Sequence, residues 1–183
     1  MEPEEVAEAF ETLHQSGKVI NFGVSNHTPL QIELLKKYVA QPLKINQIQF
    51  SITNSSMISS GMQANTFEDG AVDRDGGILD YCRLKDITLQ AWSPLQYGTF
   101  GGTFLGSEKF PELNKKLDEI AEKYNVKPAT IAAAWILRHP AKMQVISGTT
   151  NPVHLKEIAD ARNISLSRQE WYELYLSAGH LLP

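Results

Sequence analysis

The chain has 183 residues, 42% of them hydrophobic, and a formal net charge of −4. This is the composition of one globular domain with a core rather than of a disordered chain, and no basic stripe is available to neutralise nucleic-acid phosphates. A single cysteine, Cys82, allows no intrachain disulfide and suits a reducing compartment; no leader pattern follows Met1 and no apolar run approaches the ~20 residues of a membrane span, so a cytoplasmic protein without a membrane partner is expected.

In chain order, residues 3–15 carry Val6, Phe10 and Leu13 at helical spacing, with acids in the first turn and Gly17 beyond the end. Val19, Ile20, Phe22 and Val24 then form a short β-branched run that predicts a buried strand over 19–24. Gly23 frees the backbone near its end, and Ser25 and Asn26 place small hydrogen-bonding groups where the chain leaves it. Thr28-Pro29 reads as an N-cap followed by proline at the first helical position. The helix that follows is expected to turn Leu30, Leu34 and Tyr38 inward, with Leu35 and Val39 beside them. Residues 45–50 predict a second strand in which Ile45, Ile48 and Phe50 are interleaved with the amides Asn46, Gln47 and Gln49.

Residues 51–77 are polar and rich in Ser, Asn and Gly, the composition of a long functional loop. Its acids are Glu68, Asp69, Asp73 and Asp75, and Asp73-Arg74-Asp75-Gly76 half-resembles a calcium loop, but the third alternating acid and the distal glutamate are missing, so no metal is expected. A short helix over 77–84 leads to a third strand over 87–92, which ends in Trp92-Ser93-Pro94-Leu95. The glycine-rich stretch 96–106 fits neither a P-loop nor G-x-G-x-x-G and reads as a flexible surface loop. Residues 110–125 form a charged helix with Leu113, Leu117, Ile120 and Ala121 inside, and 128–138 form the most apolar helix. Val145 and Ile146 make a fourth strand, followed by Ser147-Gly148-Thr149-Thr150 and a helix begun by Asn151-Pro152, whose Leu155, Ile158 and Ala159 are expected to face inward. The last helix opens with a capping box, Ser167 and Glu170, and a staple of Leu166 with Trp171.

Strands that alternate with helices are joined by crossovers and run parallel. All four strands carry hydrogen-bonding groups at their carboxyl ends, where ligands of (β/α) barrels bind, and no glycine fingerprint of an open dinucleotide fold follows the first strand. The expected fold is therefore α/β, of (β/α)8 TIM-barrel type, with four parallel strands and their helices in a single domain over residues 1–183.

The motifs Gly23-Val24-Ser25-Asn26, Asn46-Gln47, Trp92-Ser93-Pro94-Leu95 and Val145-Ile146-Ser147-Gly148-Thr149-Thr150-Asn151-Pro152 resemble, in order and spacing, strands five to eight of the aldo-keto reductases. The likeness runs from about Val6 to Trp171 and is strongest to a bacterial subgroup of NADPH-dependent oxidoreductases. It implies the C-terminal half of the family barrel, with NADPH as cofactor and a small carbonyl compound as substrate. By the same resemblance, Ser25, Asn26 and Gln47 hold a nicotinamide carboxamide, and Trp92 stacks on the ring. Ser93, Leu95 and the glycines after them cover the pyrophosphate; Gly148, Thr149, Thr150 and His154 receive the adenosine phosphate. Each also has a plain structural reading: Ser25 and Asn26 as a capping turn, Gln47 as partner to a buried backbone group, Trp92 as core, and His154 as a solvated side chain.

The chain departs from the family in two respects. None of the family's Asp, Tyr, Lys and His catalytic tetrad maps onto it, since that set belongs to earlier strands, and His14, Tyr38 and Tyr81 fall in helical patterns. Ile158 replaces the usual asparagine of the last cofactor helix. No catalytic residue is therefore assigned, and the isolated chain is expected to be inactive. Two readings follow: the cofactor-binding half of a carbonyl reductase, or a non-enzymatic half-barrel that forms a homodimer through its open strand edges. An unrelated phosphate-binding barrel domain is a third.

Overall fold

The computed structural model describes residues 2–64, 69–73, 76–98 and 101–182. The expected roles of Glu68, Asp75 and the centre of the glycine-rich stretch, residues 99–100, lie outside the described residues. The element order is α1 (Pro3–Gln15), β1 (Phe22–Ser25), α2 (Pro29–Lys36), β2 (Leu43–Gln49), α3 (Ser56–Met62), α4 (Ile78–Leu84), β3 (Thr88–Trp92), α5 (Pro111–Tyr124), α6 (Pro128–Arg138), β4 (Gln144–Val145), α7 (Pro152–Asp160) and α8 (Arg168–Ser177). The four strands form one parallel sheet in the order β1-β2-β3-β4, with each strand beside its successor in the chain. This consecutive parallel order is that of a segment of a (β/α) barrel.

The sheet has two unlike faces. Asn46, Ile48, Leu89 and Ala91 point toward the helices and are buried. Ile45, Gln47 and Gln49 of β2 alternate with them and share the other face with Thr88, Gln90 and Trp92 of β3; none of these six is fully buried. The helix-side core centres on Trp135 of α6. Its ring stacks on Trp171 at 4.7 Å and on Phe50 at 5.5 Å, and the indole N–H groups of Trp135 and Trp171 each donate to the other residue's carbonyl, at 3.1 and 3.0 Å. Burying two large aromatic bodies while satisfying both polar edges is what lets tryptophan occupy a core. Helix α8 carries the expected capping box: the Ser167 hydroxyl accepts from the Glu170 amide, and the Glu170 carboxylate accepts from the Ser167 amide at 2.7 Å.

Five local expectations are corrected. The first strand starts at Phe22 rather than Val19, because the amides of Lys18 and Val19 still close α1 on the Leu13 carbonyl, which leaves Ile20 83% exposed. On α2 the inward residues are Ile32 and Leu35, continued by Val39 just past the helix, whereas Leu30 and Leu34, and Tyr38 beyond its end, face out. The loop over 51–77 contains a helix, α3, which buries Met57, Ile58 and Ser59. Helix α8 and the C-terminal tail hold this helix in place. Ser59 is 2.7 Å from the Tyr175 hydroxyl, and His180 Nε2 donates to the Ile52 carbonyl at 2.7 Å beside Ser55. The glycine-rich stretch is not simply open: Gln96 pairs with Thr103, and the Gly101 backbone lies so close to the Tyr97 ring and carbonyl that a Cβ would meet them at 2.3–2.6 Å. Finally, α7 buries no residue; Leu155 and Ala159 are exposed and only Ile158 packs on the core. Its strand β4 is only two residues long and offers little sheet for the helix to cover.

Candidate functional site at the strand carboxyl ends

The turn between β1 and α2 is held from β2. Asn46, fully buried, donates from Nδ2 to the His27 carbonyl at 2.8 Å and accepts from the His27 amide at 3.4 Å, so one side-chain amide brackets the backbone of one residue. This bracket gives Asn26 its left-handed conformation, φ +53°, which asparagine tolerates better than most residues. At the other edge of the turn the Gln47 carbonyl accepts twice, from the Asn26 amide at 2.8 Å and from the Ser25 hydroxyl at 3.0 Å. Gly23 is required one step earlier: a Cβ there would stand 2.6 Å from Ile45 Cβ and 2.7 Å from the Ile45 carbonyl.

Trp92 closes the group. Its indole nitrogen donates to Asn26 Oδ1 at 3.3 Å, and Ser93 beyond it turns back with φ +49°. An indole N–H can only donate, so Asn26 must present Oδ1 to Trp92 and leaves its Nδ2 donor pointing elsewhere. The Ser25 proton is committed to the Gln47 carbonyl, which leaves the hydroxyl lone pairs open. The Gln47 side chain donates to Gln90 Oε1 at 3.3 Å and keeps Oε1 as an acceptor. Three side chains from two adjacent strands thus offer one donor and two acceptors, the complement of a primary carboxamide, which has one carbonyl oxygen and two N–H groups.

Ser25, Asn26, Gln47 and Trp92 are therefore brought together, and Ser93 and Leu95 continue directly from Trp92. The Leu95 carbonyl is used within its own loop, accepting from the Phe104 amide and the Thr103 hydroxyl. Gly148, Thr149 and Thr150 extend from β4, which is anchored beside β3 by the Ile146 amide on the Ala91 carbonyl. They precede α7, where Thr149 Oγ1 accepts from the Asn151 amide and Asn151 caps the Val153 amide. No hydrogen bond ties Gly148, Thr149 or Thr150 to the first group, and His154 stands exposed on α7. The sequence reading missed Asn46 as a bracket, Gln90 as the partner of Gln47, and Lys109, whose ammonium lies on Tyr97 at 3.2 Å from its hydroxyl. Signals existed for Asn46, which stands in the Asn46-Gln47 motif, and for Lys109, a cation following a glycine-rich loop, but not for Gln90.

A cavity of about 230 Å³ adjoins Asn26 and His27, lined also by Gln49, Asn54 and Ser56. A larger one, about 590 Å³, lies away from the strand ends between α3, α6 and α8, lined by Arg138, His139, Arg168 and Trp171. Among the described residues no group of three potential metal ligands converges, and no helix is long and apolar enough to cross a membrane. Asp73 accepts from the Gly76 amide at 2.8 Å, as an acid in a tight turn does.

Compared with known proteins, the sequence matches the Aldo/keto reductase family over residues 1–175. The chain belongs to that family. It is 34% identical over 178 residues to a 6-dehydroglucose reductase of Agrobacterium fabrum (strain C58), an alignment that takes in 97% of this chain and 53% of the relative. It is 31% identical to the oxidoreductase YdhF of Escherichia coli (strain K12), over all of this chain and 55% of that one. Its fold superposes on a thermostable aldo-keto reductase crystallised with the inhibitor epalrestat with a TM-score of 0.67 and 26% identity, covering 97% of this chain and 55% of the other. This aldo-keto reductase chain thus spans about half the length of the curated relatives it matches. Members of the family generally use nicotinamide cofactors, and the carboxamide-complementary set at Ser25, Asn26 and Gln47 fits such a group.

Proposed function

We propose that the chain carries the nicotinamide-dinucleotide-binding, C-terminal half of an NADPH-dependent carbonyl reductase. The observation that carries this reading is the donor and acceptor set formed by Asn26 Nδ2, Ser25 Oγ and Gln47 Oε1. In the proposal Asn26 donates to the carboxamide oxygen, while Ser25 and Gln47 accept its N–H groups. Trp92 lies against one ring face and so directs the other toward substrate. Ser93, Leu95 and the loop after them cover the pyrophosphate, with Lys109 as a cation alongside. Gly148, Thr149, Thr150 and His154 receive the adenosine phosphate at the start of α7, where the helix dipole favours an anion. When bound, the reduced nicotinamide supplies a hydride to a carbonyl carbon. The preference for the phosphorylated dinucleotide and a cytoplasmic location belong to the same proposal.

The developing alkoxide also needs a proton donor, and this chain is proposed to lack it. Tyr81 lies on α4 with its hydroxyl on Glu33; burial and then that carboxylate push its pKa upward, away from acid duty. General acid catalysis is worth about 10²–10⁴ in rate. The isolated chain is therefore expected to bind NADPH weakly and to show no turnover with a panel of reactive aldehydes. Fluorescence titration with NADPH and an assay of its oxidation test both halves of this statement. Absence of binding removes the cofactor assignment, and turnover at ordinary enzyme rates removes the claim that the catalytic set is missing.

A second reading is favoured by a separate observation. Among the described residues β1 and β4 each pair on one side only, and Ile20, Val153 and Leu155 stand exposed in the segments flanking those strands. We infer that such edges bring two copies of the chain together, because unpaired edge amides and carbonyls flanked by apolar side chains invite strand pairing. A self-associating half-barrel without activity would satisfy the same fold.

A further inference from the structure

Gln47, Gln90 and Gln144 lie in direct register across three adjacent parallel strands, all on the half-open face of the sheet. Their side chains are joined in series. Gln47 Nε2 donates to Gln90 Oε1 at 3.3 Å, and Gln90 Nε2 donates to Gln144 Oε1 at 2.8 Å. A merely solvated row of glutamines would not need partners in line, whereas each bond here fixes the orientation of the amide before it. Reversing the polarity at Gln47 requires all three amides to rotate together.

We propose that Gln90 is a positioning residue that acts through Gln47: by accepting the Gln47 N–H, it turns Gln47 Oε1 toward the ligand and so sets the site for a carboxamide over a carboxylate. Gln144 backs Gln90 in turn. The inference rests on the cofactor reading above but assigns a residue that never touches the cofactor. A carboxamide offers N–H groups to Gln47 Oε1; a carboxylate at the same place would set oxygen against oxygen. The relay is what prevents Gln47 from turning its own N–H groups outward to accommodate the acid.

The test uses the whole 183-residue chain and two probes that differ only at this group, NADP⁺ and nicotinic acid adenine dinucleotide phosphate. The parent chain is expected to prefer the amide. Gln90→Glu, an acceptor only, keeps Gln47 Oε1 outward and should hold or raise the preference. Gln90→Lys, a donor only, turns Gln47 around and should lower it by about ten-fold, the scale of one hydrogen bond reversed. Charge at position 90 also acts through space, so both substitutions are repeated in a Gln47→Met background, where the two shifts should shrink to within about two-fold. Shifts of undiminished size there would show that position 90 acts by charge alone and would overturn the proposal. Should the parent bind neither nucleotide, the cofactor reading fails and the relay is judged without ligand. In Gln90→Leu the side-chain amide NMR resonances of Gln47 and Gln144 should both move, and unmoved resonances with an intact fold would refute the relay by themselves.

Discussion

The middle of the sheet and its two edges are built to different standards. Strands β2 and β3 pair over five residues, and behind them Phe50, Trp135, Trp171 and Tyr175 form a stacked aromatic column. At the edges, α1 and α7 bury no residue at all, β4 has two residues, and Ile20, Val153 and Leu155 face outward. The same chemistry, a β-branched or aliphatic side chain beside a strand, is core in one place and surface in the other. Burial is conferred by a neighbour rather than by the residue, and among the described residues the edges have a neighbouring strand on one side only.

The centre is the more sensitive of the two regions. Trp135→Ala should remove the ring between Phe50 and Trp171 and its own indole bond to the Trp171 carbonyl, costing about 3–5 kcal/mol in denaturant unfolding. At the β1 edge, the sensitivity should come from backbone spacing instead. Gly23→Ala drives a methyl into Ile45 and is expected to cost about 1–3 kcal/mol, with loss of any dinucleotide binding as Ser25 and Asn26 shift. A Gly23→Ala chain as stable as the parent would mean that the β1–β2 approach is looser than its geometry implies.

A pH series reports on the centre, because a histidine with a strongly lowered pKa lies there. His139 follows α6, where burial and then the nearby Arg83 lower its pKa to about 4, with Asp80 opposing them, and its Nδ1 accepts from the Ala141 amide at 3.2 Å. A depressed histidine binds fewer protons folded than unfolded. Its contribution is therefore complete above the ordinary value of 6.5 and is lost as pH falls from there through about 4. Glu170 adds a second loss lower down. Burial would raise its pKa, but Lys123, the Ser167 amide and hydroxyl, and Tyr124 outweigh burial and bring it to about 2, so its contribution fades between the usual carboxylate range and that value. Unfolding midpoints from pH 7 to 4 should fall, and His139→Asn should flatten that fall; an unchanged slope would locate the effect elsewhere.

Much of this division was readable in the sequence, and where it was not the cause is specific. Helix α6 emerged with both its ends because Pro128 begins it and His139-Pro140 stop it. The faces of α2 did not, since Leu30, Leu34 and Tyr38 and the true stripe of Ile32, Leu35 and Val39 both have helical spacing. An eight-residue helix whose two apolar stripes both run on into the residues after it carries no periodicity signal to choose between them. The inward face expected of α7 assumed a sheet wide enough to receive it. Of the candidate site, Ser25, Asn26, Gln47 and Trp92 were legible as motifs at strand ends, and they converge. Gln90 and Gln144 were not, because single glutamines look solvated until the register of three strands sets them side by side. Asn46 was visible but assigned no task; that its neighbour Gln47 faces the opposite side of the sheet becomes clear only when the strand's pleat is known.

The smallest expected change in folding stability comes from the edges, and it separates stability from assembly. Leu155 and Ile20 make few contacts in one copy of the chain, so Leu155→Ser with Ile20→Ser should alter unfolding free energy by no more than about 0.5 kcal/mol. If two copies join edge to edge, these same residues enter the contact, and a twofold arrangement uses both edges at once because each is matched by the other copy's opposite edge. The parent chain should then show a concentration-dependent increase in mass by sedimentation or light scattering. The double substitution should shift that dependence to at least ten-fold higher concentration, about 1.4 kcal/mol of association, while the monomer's melt hardly moves. A parent chain that stays a compact monomer throughout a micromolar dilution series would remove the self-association reading. The exposed edge residues would then be tolerated as ordinary surface apolar groups, as single ones often are.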